Sequence, residues 1–192
     1  MALRLADGTE VESDIVVVGV GAIPSTALAA ASGLAVDNGV RVDAHLRTED
    51  PDVFAAGDCC SFPHPLYGDR RIRLEAWRNA QDQGTLAAAN MLGGAEACVA
   101  VPWFWSNQYD ETLQVAGLTD EATETVERDL GAGRLFFGLA ADGRLVAASG
   151  VGPNGAIARD IRMAEMMIAR RARPDRAALA AADVKLKSLM AA

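Results

Sequence analysis

Apolar positions along this chain follow two periods, and the switch between them marks its organisation. At the amino terminus, LRLADGTEVESDIVVVG alternates around Asp7-Gly8 and then runs without a break from Ile15 to Val18. That pattern predicts a hairpin with a positive-φ turn followed by a buried strand. A short helix should come next, capped by Ser25 and stopped by Gly33. Val53, Phe54, Ala55 and Ala56 make a second apolar run, which ends in Gly57 and Asp58. It predicts a buried strand with a carboxylate at its carboxyl end, the place where open α/β sheets bind ligands. Beyond Leu74 the small residues Ala76, Ala80, Gly84, Ala87 and Ala88 recur near helical spacing, with Met91 and Leu92 completing the face and Gly93-Gly94 ending the helix.

After Pro102 the pattern becomes that of an antiparallel sheet. TLQVAGL, ETVERD and RLFFGLAADGRLVAASGVG read as strands, with Asp142-Gly143 as a hairpin turn. Asn154 and Gly155 then begin a helix, AIARDIRMAEMMIARR. Ile157, Ile161, Ala164, Met167 and Ile168 form its core stripe, Arg170 and Arg171 lie at the negative end of its dipole, and Pro174 stops it. The methionines of that stripe are read as core. AALAAADVKLKSLMAA is expected to be a short helix and a tail.

Composition narrows the function classes. With 192 residues, 51% of them hydrophobic, the chain can bury a sizeable core. A net charge of -8, with no basic motif interleaved with aromatics, argues against nucleic-acid binding. No apolar run is long enough to span a bilayer and no signal peptide is readable, so no membrane association and a cytoplasmic address are expected. The three cysteines include no CxxC or CxxxxC pair, which removes both a dithiol relay and a cysteine metal site. Cys59 and Cys60 are read as small buried residues, and His45 and His64 as structural. No catalytic side chain and no metal ligand is assigned.

Three motifs remain. Gly19-Val20-Gly21 follows a predicted strand, as the first part of GxGxxG would, but Pro24 stands in place of the third glycine and the helix after it is too short to hold a pyrophosphate. At TEDPDVFAAGD, Gly57 admits close approach of the backbone, and Asp58 is an acceptor suited to a sugar hydroxyl. The alternative is a core strand followed by a turn aspartate. Trp103, Phe104, Trp105 and Tyr109 concentrate aromatics in PWFWSNQY, where alternation favours one core and one exposed residue.

Taken in order, IVVVGVGAIPSTALAAASGL, GVRVDAHLRTEDPDVFAAGDCC, RLEAWRNAQDQG and PWFWSNQYDETLQVAGL resemble the ferredoxin reductases of bacterial oxygenase systems. This group contains the putidaredoxin, rhodocoxin and biphenyl dioxygenase reductases of the pyridine nucleotide-disulfide oxidoreductase superfamily. The resemblance covers nearly the whole chain and implies an α/β plus α+β fold, a partial FAD/NAD-binding Rossmann-like region followed by a carboxyl-terminal domain with an antiparallel sheet and helices. Residues 1–24 would be the last hairpin of the NAD-binding domain, 25–98 the returning part of the FAD-binding domain, and 99–192 the reductase carboxyl-terminal domain.

The same resemblance implies FAD and NADH as cofactors and a 2Fe-2S ferredoxin, serving an oxygenase, as partner. Gly57 and Asp58 would meet the ribityl chain. Glu75, Ala76 and Trp77 would bring a helix amino terminus to the pyrimidine end of the isoalloxazine. Trp105 would lie near the docking surface, with Trp103 as a packing residue. Asn107 stands where the family usually has aspartate. Both phosphate-binding glycine loops of such reductases lie upstream of the matching segments, so the chain reads as about the carboxyl-terminal half, inactive until joined to an amino-terminal half; a homodimer is left open. Two rival readings are a non-enzymatic interaction module that binds no FAD alone and another FAD-dependent reductase of the superfamily.

Overall fold

The computed structural model describes residues 1–190. The amino-terminal hairpin forms as its turn residues dictate: β1 (Ala2–Arg4) pairs antiparallel with β2 (Glu10–Glu12), and Gly8 takes a φ of 86° in the turn. The strand expected over Ile15–Val18 does not form. Those residues have no strand beside them and project into solvent, Val17 at 90% exposure and Ile15 at 79%. A strand exists only through its neighbour's backbone hydrogen bonds, so apolar sequence alone cannot make one. The following helix, α1 (Ala27–Ala31), is entered from Thr26 instead of Ser25 and closes at Gly33.

In the middle of the chain, β3 (Val40–Arg41) pairs parallel with β4 (Cys60–His64), and β4 pairs antiparallel with β5 (Arg70–Ile72). The strand expected at Val53–Ala56 is therefore misplaced. Phe54 makes only an isolated bridge to Arg47, and Ala55 and Ala56 pack as irregular chain against Val42, Leu46, Cys60 and Phe62. Gly57 and Asp58 consequently lead into β4 and do not end a strand. A four-residue apolar run between turn signals fits either arrangement.

The long helix α2 (Trp77–Met91) ends before Gly93-Gly94 as read. Its buried face differs from the expected one. Gln83, Ala87 and Asn90 are buried, whereas Gly84, Ala88, Met91 and Leu92 are exposed. The two buried amides are consumed by loops. Asn90 Nδ2 donates to the His45 and Glu96 carbonyls, both at 2.9 Å, and its Oδ1 accepts the Glu96 N–H at 3.0 Å.

The carboxyl-terminal unit is one antiparallel sheet with helices on it. Its strands are β6 (Trp103–Gln108), β7 (Glu111–Gly117), β8 (Glu124–Asp129), β9 (Arg134–Leu139) and β10 (Leu145–Pro153), in the order β6-β7-β10-β9-β8. Helix α3 (Ala158–Ala169) starts after a turn over Asn154–Ala156, slightly later than the sequence suggests. The whole predicted stripe, Ile157, Ile161, Ala164, Met167 and Ile168, is buried with Leu135, Phe137 and Leu145 of the sheet. Helix α4 (Arg176–Ala180) is capped by the Asp175 carboxylate, which accepts the Ala178 N–H. Arg128 of β8 is buried and donates to the carbonyls of Ala178, Leu179 and Val184, fastening α4 and the chain after it to the sheet. Ala191 and Ala192, the end of the expected tail, lie outside the described residues.

Polar contacts join the two larger units. Tyr67 accepts the Leu118 N–H at 3.0 Å and donates to the Val146 carbonyl, and Arg70 pairs with Asp120 at 3.0 Å. Arg171, past the end of α3, donates to the Pro65 carbonyl, and Arg78 of α2 pairs with Glu165 of α3 at 2.7 Å. No helix among the described residues is long and apolar enough to cross a membrane.

Candidate functional site

The turn carrying Asp58 is a single 3-10 turn, Gly57–Cys59, laid against α2. Its geometry follows from Gly57, whose φ of 80° disfavours other residues and whose missing side chain lets α2 approach. A Cβ there would meet the Ala80 Cβ at 3.3 Å. Gln83 fixes the turn from the helix: its Oε1 accepts the Gly57 N–H at 2.8 Å, and its amide reaches the Cys98 sulfur at 3.8 Å. Asp58 is then exposed, with its carbonyl held by Arg73 Nη1 at 3.1 Å.

Arg73 draws two predicted site residues, Asp58 and Glu75, together. The same Nη1 pairs with Glu75 and Nε reaches Asn38 Oδ1 at 3.3 Å, so Asp58, Arg73 and Glu75 form one chain of contacts ahead of α2. Ala76, extended at φ -147°, occupies the N-cap position and supplies no capping side chain. The first turn of α2 also contains no acidic residue. Its leading N–H groups and the positive end of the helix dipole are thus left open to a negatively charged group.

Trp77 opens α2 and is 66% exposed. It meets Trp105 edge to face, with ring centroids 6.1 Å apart and planes at 89°. Trp105 in turn stacks on Trp103 at 5.3 Å and 25°. Trp103 is partly buried against the core of the sheet unit and Trp105 is 41% exposed, as expected of a packing and an outward residue, yet the two rings are in contact. Residues two apart on a strand share a face, and both indoles follow that rule, stacking on each other. Glu75, Ala76, Trp77 and Trp105 therefore gather around the start of α2, with Gly57 and Asp58 on the turn packed against it.

Cys60, Cys98 and His64 are buried groups. The Cys60 thiol is pushed up to about 12 by burial, and burial also raises Cys98, so neither offers a thiolate near neutrality. His64 is fully buried; Nε2–H donates to the Ala100 carbonyl at 2.9 Å and Nδ1 accepts the Leu66 N–H. Burial lowers its pKa below the ordinary 6.5. Among the described residues no group of three or more His, Cys, Asp or Glu is arranged to hold a metal. Sequence reasoning missed Arg73, Gln83 and Arg78. Gln83 did leave a signal, as a polar residue in register with Ala80 and Ala87.

Two family profiles match the chain. One described as pyridine nucleotide-disulphide oxidoreductase matches residues 1–84, and one described as reductase C-terminal matches residues 103–190. Among curated relatives, the ferredoxin–NAD(+) reductase component of the anthranilate 1,2-dioxygenase system of Burkholderia cepacia is 46% identical over 98% of this chain and 46% of its own length. Putidaredoxin reductase of Pseudomonas putida is 43% identical over 62% of this chain and 28% of its own length. Among solved structures, the putidaredoxin reductase of a covalent complex with putidaredoxin superposes with a TM-score of 0.89 at 34% identity, over 99% of this chain and 45% of that one. The ferredoxin reductase for the CYP199A2 system of Rhodopseudomonas palustris gives 0.88 at 33% identity, over 97% and 45%. The chain thus spans less than half the length of these relatives.

Proposed function

Because the chain belongs to the pyridine nucleotide-disulphide oxidoreductases, in the branch of the oxygenase ferredoxin reductases, we propose that it is part of an FAD-dependent NAD(P)H:ferredoxin reductase and forms the side of the flavin site nearest the electron acceptor. In this reading residues 1–24 close the NAD-binding domain, 25–98 return to the FAD-binding domain, and 99–192 are the reductase carboxyl-terminal domain. The partners are the remaining length of the reductase and a 2Fe-2S ferredoxin that serves an oxygenase.

The observation that carries the reading is the uncapped amino terminus of α2, with Asp58 and the Trp77–Trp105 pair in the elements packed beside it. Those groups fit a flavin. FAD, when bound, takes a hydride from NADH and releases electrons one at a time. The residues of this chain bind, orient and shield. Asp58 accepts hydrogen bonds from ribityl hydroxyls, held in place by Gly57, Gln83 and Arg73. The open amides of α2 favour negative charge at the pyrimidine end by about 0.3–1 kcal/mol, and more in a partly buried setting. Trp77 and Trp105 cover the site with flat apolar surface on the side the ferredoxin approaches.

Asp58→Ala tests this. In the chain assembled with the rest of the reductase, losing a charge-assisted hydrogen bond costs about 1.5–3 kcal/mol. FAD affinity measured by calorimetry should fall by tens of fold. An unchanged affinity would leave Asp58 as a turn residue only.

A further inference from the structure

All three tryptophans of the chain meet in one cluster, and a charged side chain from α2 is laid against it. Arg78 follows Trp77 in the helix and places its guanidinium over the Trp103 ring, 5.3 Å from the centroid. Its Nη2 donates to Glu165 Oε1 at 2.7 Å, and its Nε lies 3.6 Å from Asp82 on the next turn. The Glu165 side chain is 8% exposed and its second oxygen accepts Arg162 Nη1 at 2.7 Å. A buried carboxylate thus holds a guanidinium that lies on an indole, and that indole is stacked on Trp105.

Core packing does not account for Glu165. It lies beside the apolar stripe of α3, between Ala164 and Met167, where burying an ionised group is costly and an apolar residue would pack as well or better. What the ion pair adds is direction. An arginine tied through one nitrogen to a fixed carboxylate keeps its plane, and a planar guanidinium selects one orientation of the ring beneath it. The cluster needs such a device because β6 is the edge strand of its sheet, with no strand on its outer side, and Trp105 is 41% exposed. Its indole is oriented by Trp103 and Trp77.

We propose that Arg78, fixed by Glu165, is a positioning residue that sets the orientation of the Trp105 indole through Trp103, and thereby governs electron delivery to the ferredoxin. The second clause rests on the function proposed above; the first does not. Stacked indoles couple their electronic transitions and give a split band in circular dichroism. No tryptophan lies outside the cluster, so in this chain that band reports on it alone.

The experiment compares the full chain with Arg78→Met, Arg78→Lys and Glu165→Gln, reading the indole couplet alongside the peptide band and the melting temperature. Arg78→Met and Glu165→Gln should lose most of the couplet with the peptide band unchanged, and Arg78→Lys should recover part of it. Should Glu165→Gln fail to fold, the partly exposed Arg78 still carries the test through Arg78→Met and Arg78→Lys. A lower melting temperature with an intact couplet would show that the pair only fastens α2 to α3, and would overturn the proposal. A couplet lost in the chain, with slowed ferredoxin reduction and normal NADH oxidation in the assembled reductase, supports both clauses. A couplet lost in the chain, with undiminished ferredoxin reduction in the assembled reductase, keeps the positioning role and overturns the second clause.

Discussion

The two ends of this chain use similar apolar sequence to opposite effect. From Trp103 onward, five strands find each other within the chain, and Leu135, Phe137, Ile157, Ile161 and Met167 are wholly buried between sheet and helix. At the other end, Ile15, Val17, Val18, Val20 and Ile23 are just as apolar and are all exposed. Hydrophobicity is the same in both; what differs is closure. The carboxyl-terminal strands each have a hydrogen-bonding neighbour, whereas the segment after β2 has none. Burial follows from pairing, and pairing depends on the chain supplying a partner strand.

The strongest test of that contrast is truncation at both ends. Phe137→Ala, which opens a cavity beneath Arg128 in the core of the sheet unit, should cost about 3–5 kcal/mol in urea unfolding. Val17→Ala should stay within about 0.5 kcal/mol in the same chain, as exposed substitutions do. Equal losses at the two sites would break the comparison. The middle region lies between these extremes because it is held by buried amides more than by apolar mass. Asn90→Ala removes three hydrogen bonds to loop backbone and should cost about 1–3 kcal/mol, since the His45 and Glu96 groups lose their partners. A cost below the error of the measurement would show that water replaces the amide there.

The smallest effect concerns the junction between the units, and is read with pH. His64 is buried neutral, so its folded pKa lies below the unfolded value of 6.5. The unfolded chain then binds more protons, and the stability this group contributes is present above pH 6.5 and is lost as pH falls toward its folded pKa. Melting temperatures between pH 7 and pH 5 should therefore fall less steeply in His64→Gln than in the parent chain. Parallel slopes would mean that other groups carry the acid sensitivity.

How legible the fold was follows the same line. The α3 stripe and the Asp142-Gly143 turn could be read because their burial is decided by neighbours close in sequence. The strand placed at Val53–Ala56 was misread because four apolar residues fix neither a partner nor a period. The buried face of α2 was hidden by its polarity. Gln83 and Asn90 are inside because loops at Gly57, His45 and Glu96 need their amides, and nothing local in the sequence announces those loops. At the site, Asp58 and the tryptophans were visible as motifs, while the contacts of Arg73 with Asn38 and Asp58 and of Arg78 with Glu165 join distant parts of the sequence and were not. The contact between the two indoles follows the period-two rule, and their unequal burial follows from Trp103 lying against the core of the sheet unit.

The joint between the middle unit and the sheet has a mechanical consequence. Tyr67, Arg70 and Pro65 are tied to the sheet unit through Leu118, Val146, Asp120 and Arg171, while Arg78 is tied to α3 through Glu165. A hinge swings when it is fastened along a single line; these ties run from three elements of the middle unit, the β4–β5 turn, β5 and α2, to several of the other. Residues 95–102 therefore serve as a tether and not as a pivot. The spacing between Trp77 on one unit and Trp105 on the other is then a fixed property of the folded chain, set when the units dock and not renewed by slow domain motion at each turnover.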